Sequence, residues 1–288
     1  MKNYTPLRYP GGKSKTYYYI KELIYINNCR TYIEPYAGGA GVAIALLLNG
    51  DIDKIMLNDY DKAIYAVWYS ILNHTDELIK LIKNTNITIE EWNKQKNVYS
   101  QKEKIVDLLK LGFATLFLNR TNRSGILKAG VIGGKKQNGK YKLDCRFNKE
   151  DICNKIRRIS KFKNKIKIYN LDAEIFIKNS ITKTKNSFTF FDPPYYKKGP
   201  ELYTNFYRYQ NHKSLSKTID RFMKDKCWIL TYDNCHEIYD MYSHLDFQFY
   251  YINYSISTPT KGLEYMFYSP NLKKGNISKY LNIPLNNL

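Results

Sequence analysis

Apolar residues cluster along this chain in seven short stretches of strand length: Tyr32 to Glu34, Lys54 to Asn58, Lys165 to Asn170, Ser187 to Phe191, Trp228 to Tyr232, Phe247 to Tyr254 and Glu264 to Tyr268. Between the second and third the spacing becomes helical, over Lys62 to Leu72, Thr75 to Asn84, Thr88 to Ser100 and Lys104 to Leu118. This pattern predicts an α/β fold with a Rossmann-like seven-stranded sheet, interrupted by an inserted helical region. The expected division is a sheet domain made of residues 1–61 and 160–288, with 62–159 as the insertion. The insertion changes character at its end. Leu118 to Phe147 is rich in Asn, Gly, Arg and Lys, and Asn138-Gly139 between polar residues predicts a hairpin turn.

Two strand ends carry candidate chemistry. The fourth stretch stops at Phe191-Asp192-Pro193-Pro194-Tyr195. Consecutive prolines fix φ and lack amide hydrogens, so they end the strand and turn their carbonyls outward beside the Asp192 carboxylate. A carboxylate and the Pro193 carbonyl suit the two N–H donors of an exocyclic amine, and Tyr195 offers a stacking face for a flat base. Taken alone, the same residues also read as a turn after a buried strand. The first stretch runs into Glu34-Pro35-Tyr36-Ala37-Gly38-Gly39-Ala40-Gly41 and then an apolar helical run from Val42 to Leu48. A strand, glycine loop and helix in this order present backbone amides to a ligand. Asp59 ends the second stretch about twenty residues on, where an acid in a doubly wound sheet accepts ribose hydroxyls. A helix N-cap is the other reading of Asp59; the spacing favours the ribose.

With Tyr9-Pro10-Gly11-Gly12-Lys13, Asn58-Asp59 and Asn119-Arg120-Thr121, these motifs lie in an order that resembles the Dam-like DNA adenine-N6 methyltransferases over nearly the whole chain. The glycine loop departs from that family's pattern: Ala40 stands where a last glycine is usual, and Gly39 or Gly41 is expected to take over the tight approach. The resemblance implies S-adenosylmethionine as cofactor, bound by Tyr9, Lys13, Glu34, Tyr36, Gly38, Asp59, Asp172 and Asp192. Tyr9 would pack near the cofactor adenine, and Asp172 resembles the acid that bonds its amine, although a helix cap before Ala173 is an alternative. It implies catalysis by Asp192, Pro193, Pro194 and Tyr195 on an adenine swung out of duplex DNA. It makes the inserted region a hairpin-bearing target-recognition domain, with Asn119, Arg120, Asn122, Arg123, Lys135 and Lys136 on DNA. Arginine and lysine contact phosphates or guanine and asparagine reads adenine, each bidentate pair giving about 1–3 kcal/mol of discrimination. An ordinary solvated loop is the competing account. The basic run Lys155 to Lys161 could grip backbone or be an outer helix face.

Composition adds support of a weaker kind. The chain has 288 residues, with 46 Lys and Arg against 26 Asp and Glu, a formal charge of +20 that suits a polyanionic partner. Its abundance of Lys, Asn, Ile and Tyr also follows from an AT-rich coding sequence, so basicity is support and not proof. Five cysteines without a C-x-x-C pair argue against a disulfide framework or a metal site. No apolar run approaches membrane-spanning length. The expectation is a cytoplasmic enzyme, metal-free, a monomer or weak dimer, compatible with a restriction endonuclease partner. The acid-Pro-Pro-aromatic corner also serves cytosine-N4, RNA-base and glutamine methyltransferases, and a catalytically silent nucleic-acid-binding module is the reading from another class.

Overall fold

A computed structural model of the chain describes residues 3–8, 13–197, 207–254 and 260–284. All seven expected strands form, as β1 (Thr31–Glu34), β2 (Lys54–Asn58), β3 (Ile166–Tyr169), β4 (Ser187–Phe191), β5 (Cys227–Asp233), β6 (Phe247–Tyr254) and β7 (Thr260–Tyr268). They make one mixed sheet in the order β3-β2-β1-β4-β5-β7-β6. The first five strands are parallel; β7 runs antiparallel to both β5 and β6.

Strand alternation divides the side chains between two cores. Tyr32, Ile55, Leu57, Phe188, Phe190, Ile229 and Met266 point to one face. Ile33, Met56, Phe191, Leu230 and Phe267 point to the other. Both faces are therefore covered, which is why β4 is buried at every position and carries no polar alternation.

The first face holds α1 (Tyr17–Ile26), α2 (Gly41–Leu48), α3 (Lys62–Asn73), α4 (Thr75–Asn84), α5 (Ile89–Ser100), α6 (Leu108–Thr121) and α7 (Lys149–Ser160). The second holds α8 (Ala173–Phe176) with its π-helical turn Ile177–Ile181, then α9 (Tyr209–Phe222) and α10 (His236–Tyr242). α2 is apolar all round because it is buried from Val42 to Leu47.

The helices of 62–159 do not form a separate core. Ile64, Trp68, Phe117 and Ile152 join the same apolar cluster as Tyr32 and Phe188 of the sheet. The tightest contact in this layer is between α3 and α6. A Cβ at Gly112 would lie 2.3 Å from Ser70 Oγ and 2.5 Å from the Ala66 carbonyl, so the two backbones meet there. Ser70 Oγ donates to the Ala66 carbonyl at 2.7 Å and reaches the Leu108 carbonyl at 3.1 Å.

Two expectations are corrected. The last helix of the four begins at Leu108, not Lys104, because Asp107 caps it by accepting from the Lys110 amide at 3.0 Å. The hairpin around Asn138-Gly139 does not form; between Asn122 and Phe147 the pairing is one antiparallel bridge, Asn122 to Val131. The Gln137 side chain takes the bonds a ladder would have made, donating to the Ile132 and Gly134 carbonyls and accepting from the Leu143 amide.

Gly112→Ala is expected to push α3 from α6 and destabilise the protein by about 1–3 kcal/mol. Urea denaturation checks this, and an unchanged midpoint would show that the helical layer yields freely.

Candidate active site

The carboxyl ends of β1, β2, β3 and β4 open on one side of the sheet, and the chain reverses its order of strands between β1 and β4. Such a switch point leaves a crevice, because the segments leaving the two strands cross to opposite faces. Glu34, Asp59, Asp172 and Asp192 lie at these four ends.

On the β1–β2 side, Asp59 fixes the glycine loop. Its Oδ2 accepts from the Gly38 amide at 2.8 Å and its Oδ1 from the Asp61 amide at 2.9 Å. Trp68 Nε1 donates to the Gly38 carbonyl at 3.0 Å, so Gly38 is held from both its groups. Ala40, just before α2, is left-handed at φ 45°, as is Gly38. The Ala40 conformation costs about 1–2 kcal/mol that a glycine would not.

Glu34 is buried, and its Oε1 accepts from Tyr32 Oη at 3.0 Å and the Ala43 amide at 3.3 Å. Burial pushes its carboxyl up to about 8, against those hydrogen bonds. Burial likewise pushes Asp59 up to about 7, with the neighbouring Asp61 adding to the shift. Among the described residues neither makes an ion pair, since the nearby Lys102 bonds Asp61 at 2.7 Å.

Asn58 is a positioning residue to which the sequence assigned no role. Its Nδ2 donates to the Pro35 and Leu171 carbonyls, each at 3.0 Å, and its Oδ1 accepts from the Leu171 amide. One side chain thereby ties the exits of β1 and β3.

On the β4 side stands a buried charge set. Lys13 Nζ lies 2.7 Å from Glu264 Oε2 and 3.3 Å from Asp192 Oδ1, and donates to Tyr195 Oη at 2.9 Å. Tyr195 Oη donates to Glu264 Oε1 at 2.8 Å, and Tyr250 Oη donates to Oε2 of the same carboxylate. Burial alone would discharge Lys13, but Asp192 and then Glu264 hold its ammonium well above the usual lysine range. Asp192 Oδ1 also accepts from Thr231 Oγ1 at 2.9 Å. Its Oδ2 has no hydrogen bond among the described residues, and the side chain is 24% exposed. Burial pushes the Asp192 carboxyl up to about 6; Lys13 opposes this and Glu264 adds to it. Asp233, at the end of β5, accepts from the Tyr196 and Lys197 amides at 2.8 Å each and so pins the chain leaving the prolines.

Several expected site residues sit otherwise. Tyr195 is 1% exposed beneath Lys13 Nζ, so in this conformation its ring is a wall of the site and not an open stacking face. Pro193 and Pro194 are buried. Tyr36 bonds Tyr207 across the loop at 3.1 Å. Asp172 caps α8, its Oδ1 accepting from the Glu174 and Ile175 amides. Tyr9 lies outside the described residues.

Of the residues expected on DNA, Arg123, Lys135 and Lys136 are exposed. Asn119 and Asn122 are 1% exposed and cannot reach a base from there. The Asn119 amide group is spent on the Arg8 backbone and the Gly125 carbonyl. That of Asn122 is spent on Trp92 and the Ile126 and Leu127 carbonyls. Arg120 is 9% exposed, with Nη1 donating to the Pro6 carbonyl at 3.3 Å.

Glu264 and Tyr250, which complete the charge set, went unnoticed in the sequence. An acid in the middle of the apolar run Leu263 to Tyr268 was the signal that could have found the first. Lys13→Met should strand a buried carboxylate and destabilise the protein by about 3–5 kcal/mol. Adding Glu264→Gln should recover part of that loss in urea denaturation. Additive losses in the double variant would mean that the two charges do not act as a pair.

The family model of the D12 class N6 adenine-specific DNA methyltransferases matches residues 9–257. Among curated proteins, the type II methyltransferase M.MjaIII of Methanocaldococcus jannaschii is 25% identical over 203 residues, 66% of this chain and 68% of that protein. The type II methyltransferase M.CviBI of Paramecium bursaria Chlorella virus NC1A is 26% identical over 257 residues, 84% of this chain and 88% of that protein. A solved rRNA methyltransferase of Streptomyces viridochromogenes aligns over 87% of this chain and 84% of its own at 8% identity, with a TM-score of 0.33, too low to argue from. With the family match spanning most of its length, this chain belongs to the D12 class of N6 adenine-specific DNA methyltransferases.

Proposed function

We propose that Oδ2 of Asp192 and the Pro193 carbonyl accept the two N6 hydrogens of a target adenine swung out of the duplex. The observation that carries this reading is the division of labour within one carboxylate. Oδ1 accepts from Thr231 and lies 3.3 Å from Lys13 Nζ, whereas Oδ2 makes no hydrogen bond among the described residues and the side chain is partly exposed. Adenine N6 is a poor nucleophile because its lone pair is delocalised into the ring. Two acceptors placed on its hydrogens favour the pyramidal nitrogen of the transition state and stabilise its growing positive charge. The buried set then carries two carboxylates to one ammonium, which also favours that charge.

The family's methyl donor is S-adenosylmethionine, which supplies an electrophilic methyl on a positive sulfur. The donor set around the crevice fits it. Glu34 and Asp59 are carboxylates without ion-pair partners, beside a loop held by Asp59 and by Trp68, and each keeps acceptor capacity beyond its present bonds. We assign Glu34, Gly38 and Asp59 to holding the cofactor. Tyr36, Asp172, Lys13 and Asp192 line the same crevice, with Tyr9 expected from the resemblance. Segment 62–159 would face DNA through Arg123, Lys135 and Lys136. That both curated relatives are named type II methyltransferases supports action at a specific sequence and a restriction endonuclease as partner. No helix among the described residues is long and apolar enough to cross a membrane.

Asp192→Asn should lower kcat for methyl transfer to duplex DNA by about 10²–10³-fold. DNA affinity should change little. Because Asp192 must be ionised to accept, wild-type kcat should fall as pH drops through about 6. Near-normal turnover by the variant in a labelled-methyl assay would remove Asp192 from the mechanism.

A cationic cofactor beside Glu34 and Asp59 favours their ionised forms, so binding should release protons. Affinity should rise from pH 6 toward pH 8 and level off above it, since the free carboxyls lie near 8 and 7. Calorimetry in buffers of different ionisation enthalpy reads this directly. Proton uptake would place the cofactor's charge elsewhere.

A further inference from the structure

Arg8 and Arg120 lie where the N-terminal segment crosses the end of α6, and Arg146 stands within electrostatic reach of both. The Arg8 backbone is fixed there by Asn119, whose Oδ1 accepts from the Arg8 amide at 2.7 Å and whose Nδ2 donates to the Arg8 carbonyl at 2.6 Å. Gly125 packs flat against it; a Cβ there would lie 2.8 Å from the Arg8 carbonyl oxygen. The Arg8 guanidinium turns to the Asn122 carbonyl at 3.4 Å. Arg120, on the last turn of α6, reaches back to the Pro6 carbonyl, and its Nε is buried without a partner. Arg146 is brought to the same place by its neighbour Phe147, whose ring packs on Phe117 at 5.3 Å, one helical turn before Arg120. Arg146 itself is exposed.

Among the described residues no carboxylate lies within ion-pair distance of any of the three. Burial and then Arg8 push the Arg120 guanidinium down to about 10; Arg146 adds to this, and Asp151 opposes it from a distance. Arg8 is lowered by burial and by Arg146. Arg8 is half-buried and Arg120 buried on protein carbonyls, with no carboxylate in ion-pair distance among the described residues, a costly arrangement that a bound anion would relieve.

We propose that Arg8, Arg120 and Arg146 form a clamp for a backbone phosphate of the bound DNA. The chemistry favours phosphate over a base. Guanidinium forks match the two free oxygens of a phosphodiester, and several forks can share one phosphate group, whereas one guanine edge takes a single fork. The clamp lies beside exposed Arg123 on the loop assigned to DNA, and it rests on that assignment. A phosphate held here would set the register of the duplex without reading its sequence.

The test is the salt dependence of duplex binding for Arg8→Gln, Arg146→Gln and Arg120→Gln, each on a methylatable duplex and on one of unrelated sequence. Affinity should fall several-fold and equally on both duplexes. The slope of log affinity against log salt should become shallower by about one, because one phosphate is no longer neutralised, and S-adenosylmethionine affinity should not change. Should Arg120→Gln fail to fold, the exposed Arg146 and half-buried Arg8 carry the test. Pyrophosphate should also raise the melting temperature of the wild type more than that of Arg8→Gln/Arg146→Gln. An unchanged slope in both Arg8→Gln and Arg146→Gln would overturn the clamp. A loss confined to the methylatable duplex would overturn it in favour of base contact. If Arg123→Gln/Lys135→Gln/Lys136→Gln weakens binding while these variants do not, the clamp fails and the DNA-facing loop stands. If none weakens binding, both fail.

Discussion

A single buried ammonium, Lys13 Nζ, sits between Glu264 at 2.7 Å and Asp192 at 3.3 Å, and the reactive geometry depends on that uneven sharing. Were Lys13 bonded to Asp192 alone, the two would form a closed pair and the carboxylate would have less to offer a substrate amine. Glu264, with Tyr195 and Tyr250 donating to it, takes the closer share. The ammonium then steadies Asp192 without consuming its second oxygen. β7 thus contributes to the site although it lies two strands away from β4, because Tyr195 bridges the gap.

Among the described residues, ionisable groups stand without counter-charges in two places, acidic in one and basic in the other. At the carboxyl ends of β1 and β2, Glu34 and Asp59 have hydrogen bonds but no cation, and burial raises both. At the end of α6, Arg8 and Arg120 bond carbonyls, and neither they nor Arg146 has a carboxylate within ion-pair distance among the described residues. Leaving a buried group short of its counter-charge costs stability, and each deficit matches one ligand of the reaction: a cationic methyl donor and a polyanionic duplex.

Most of the sheet was legible because β-strands bury on a period of two and parallel strands show as short apolar runs. Ser187–Phe191 and Lys54–Asn58 have the bounds read from the sequence. The acid-Pro-Pro corner was legible because proline constrains the backbone wherever it occurs. What failed did so for lack of tertiary information. Nothing local distinguishes an asparagine that reads a base from one that holds a loop, and Asn119 is spent on the Arg8 backbone, far away in sequence. Asn138-Gly139 has the composition of a hairpin turn, but the Gln137 side chain outcompetes the ladder. At Ala40 the fold imposes a left-handed backbone on a residue that disfavours it, which a rule based on glycine does not anticipate.

The N-terminal segment has one anchor at each of the two proposed sites. Arg8 is locked to α6 beside the loop proposed to face DNA, and Lys13, five residues on, is locked to Glu264 at the proposed catalytic pocket. Five residue steps span at most about 17 Å, so the backbone anchors of the proposed phosphate clamp and of the catalytic pocket lie within that distance. α6 packs on α3 through Gly112, and both share the core beneath the sheet, so neither anchor shifts without repacking the interior. If the proposed clamp grips a phosphate, the duplex is held within that reach of the pocket. That constraint selects which nucleotide, counted from the gripped phosphate, can swing into the pocket.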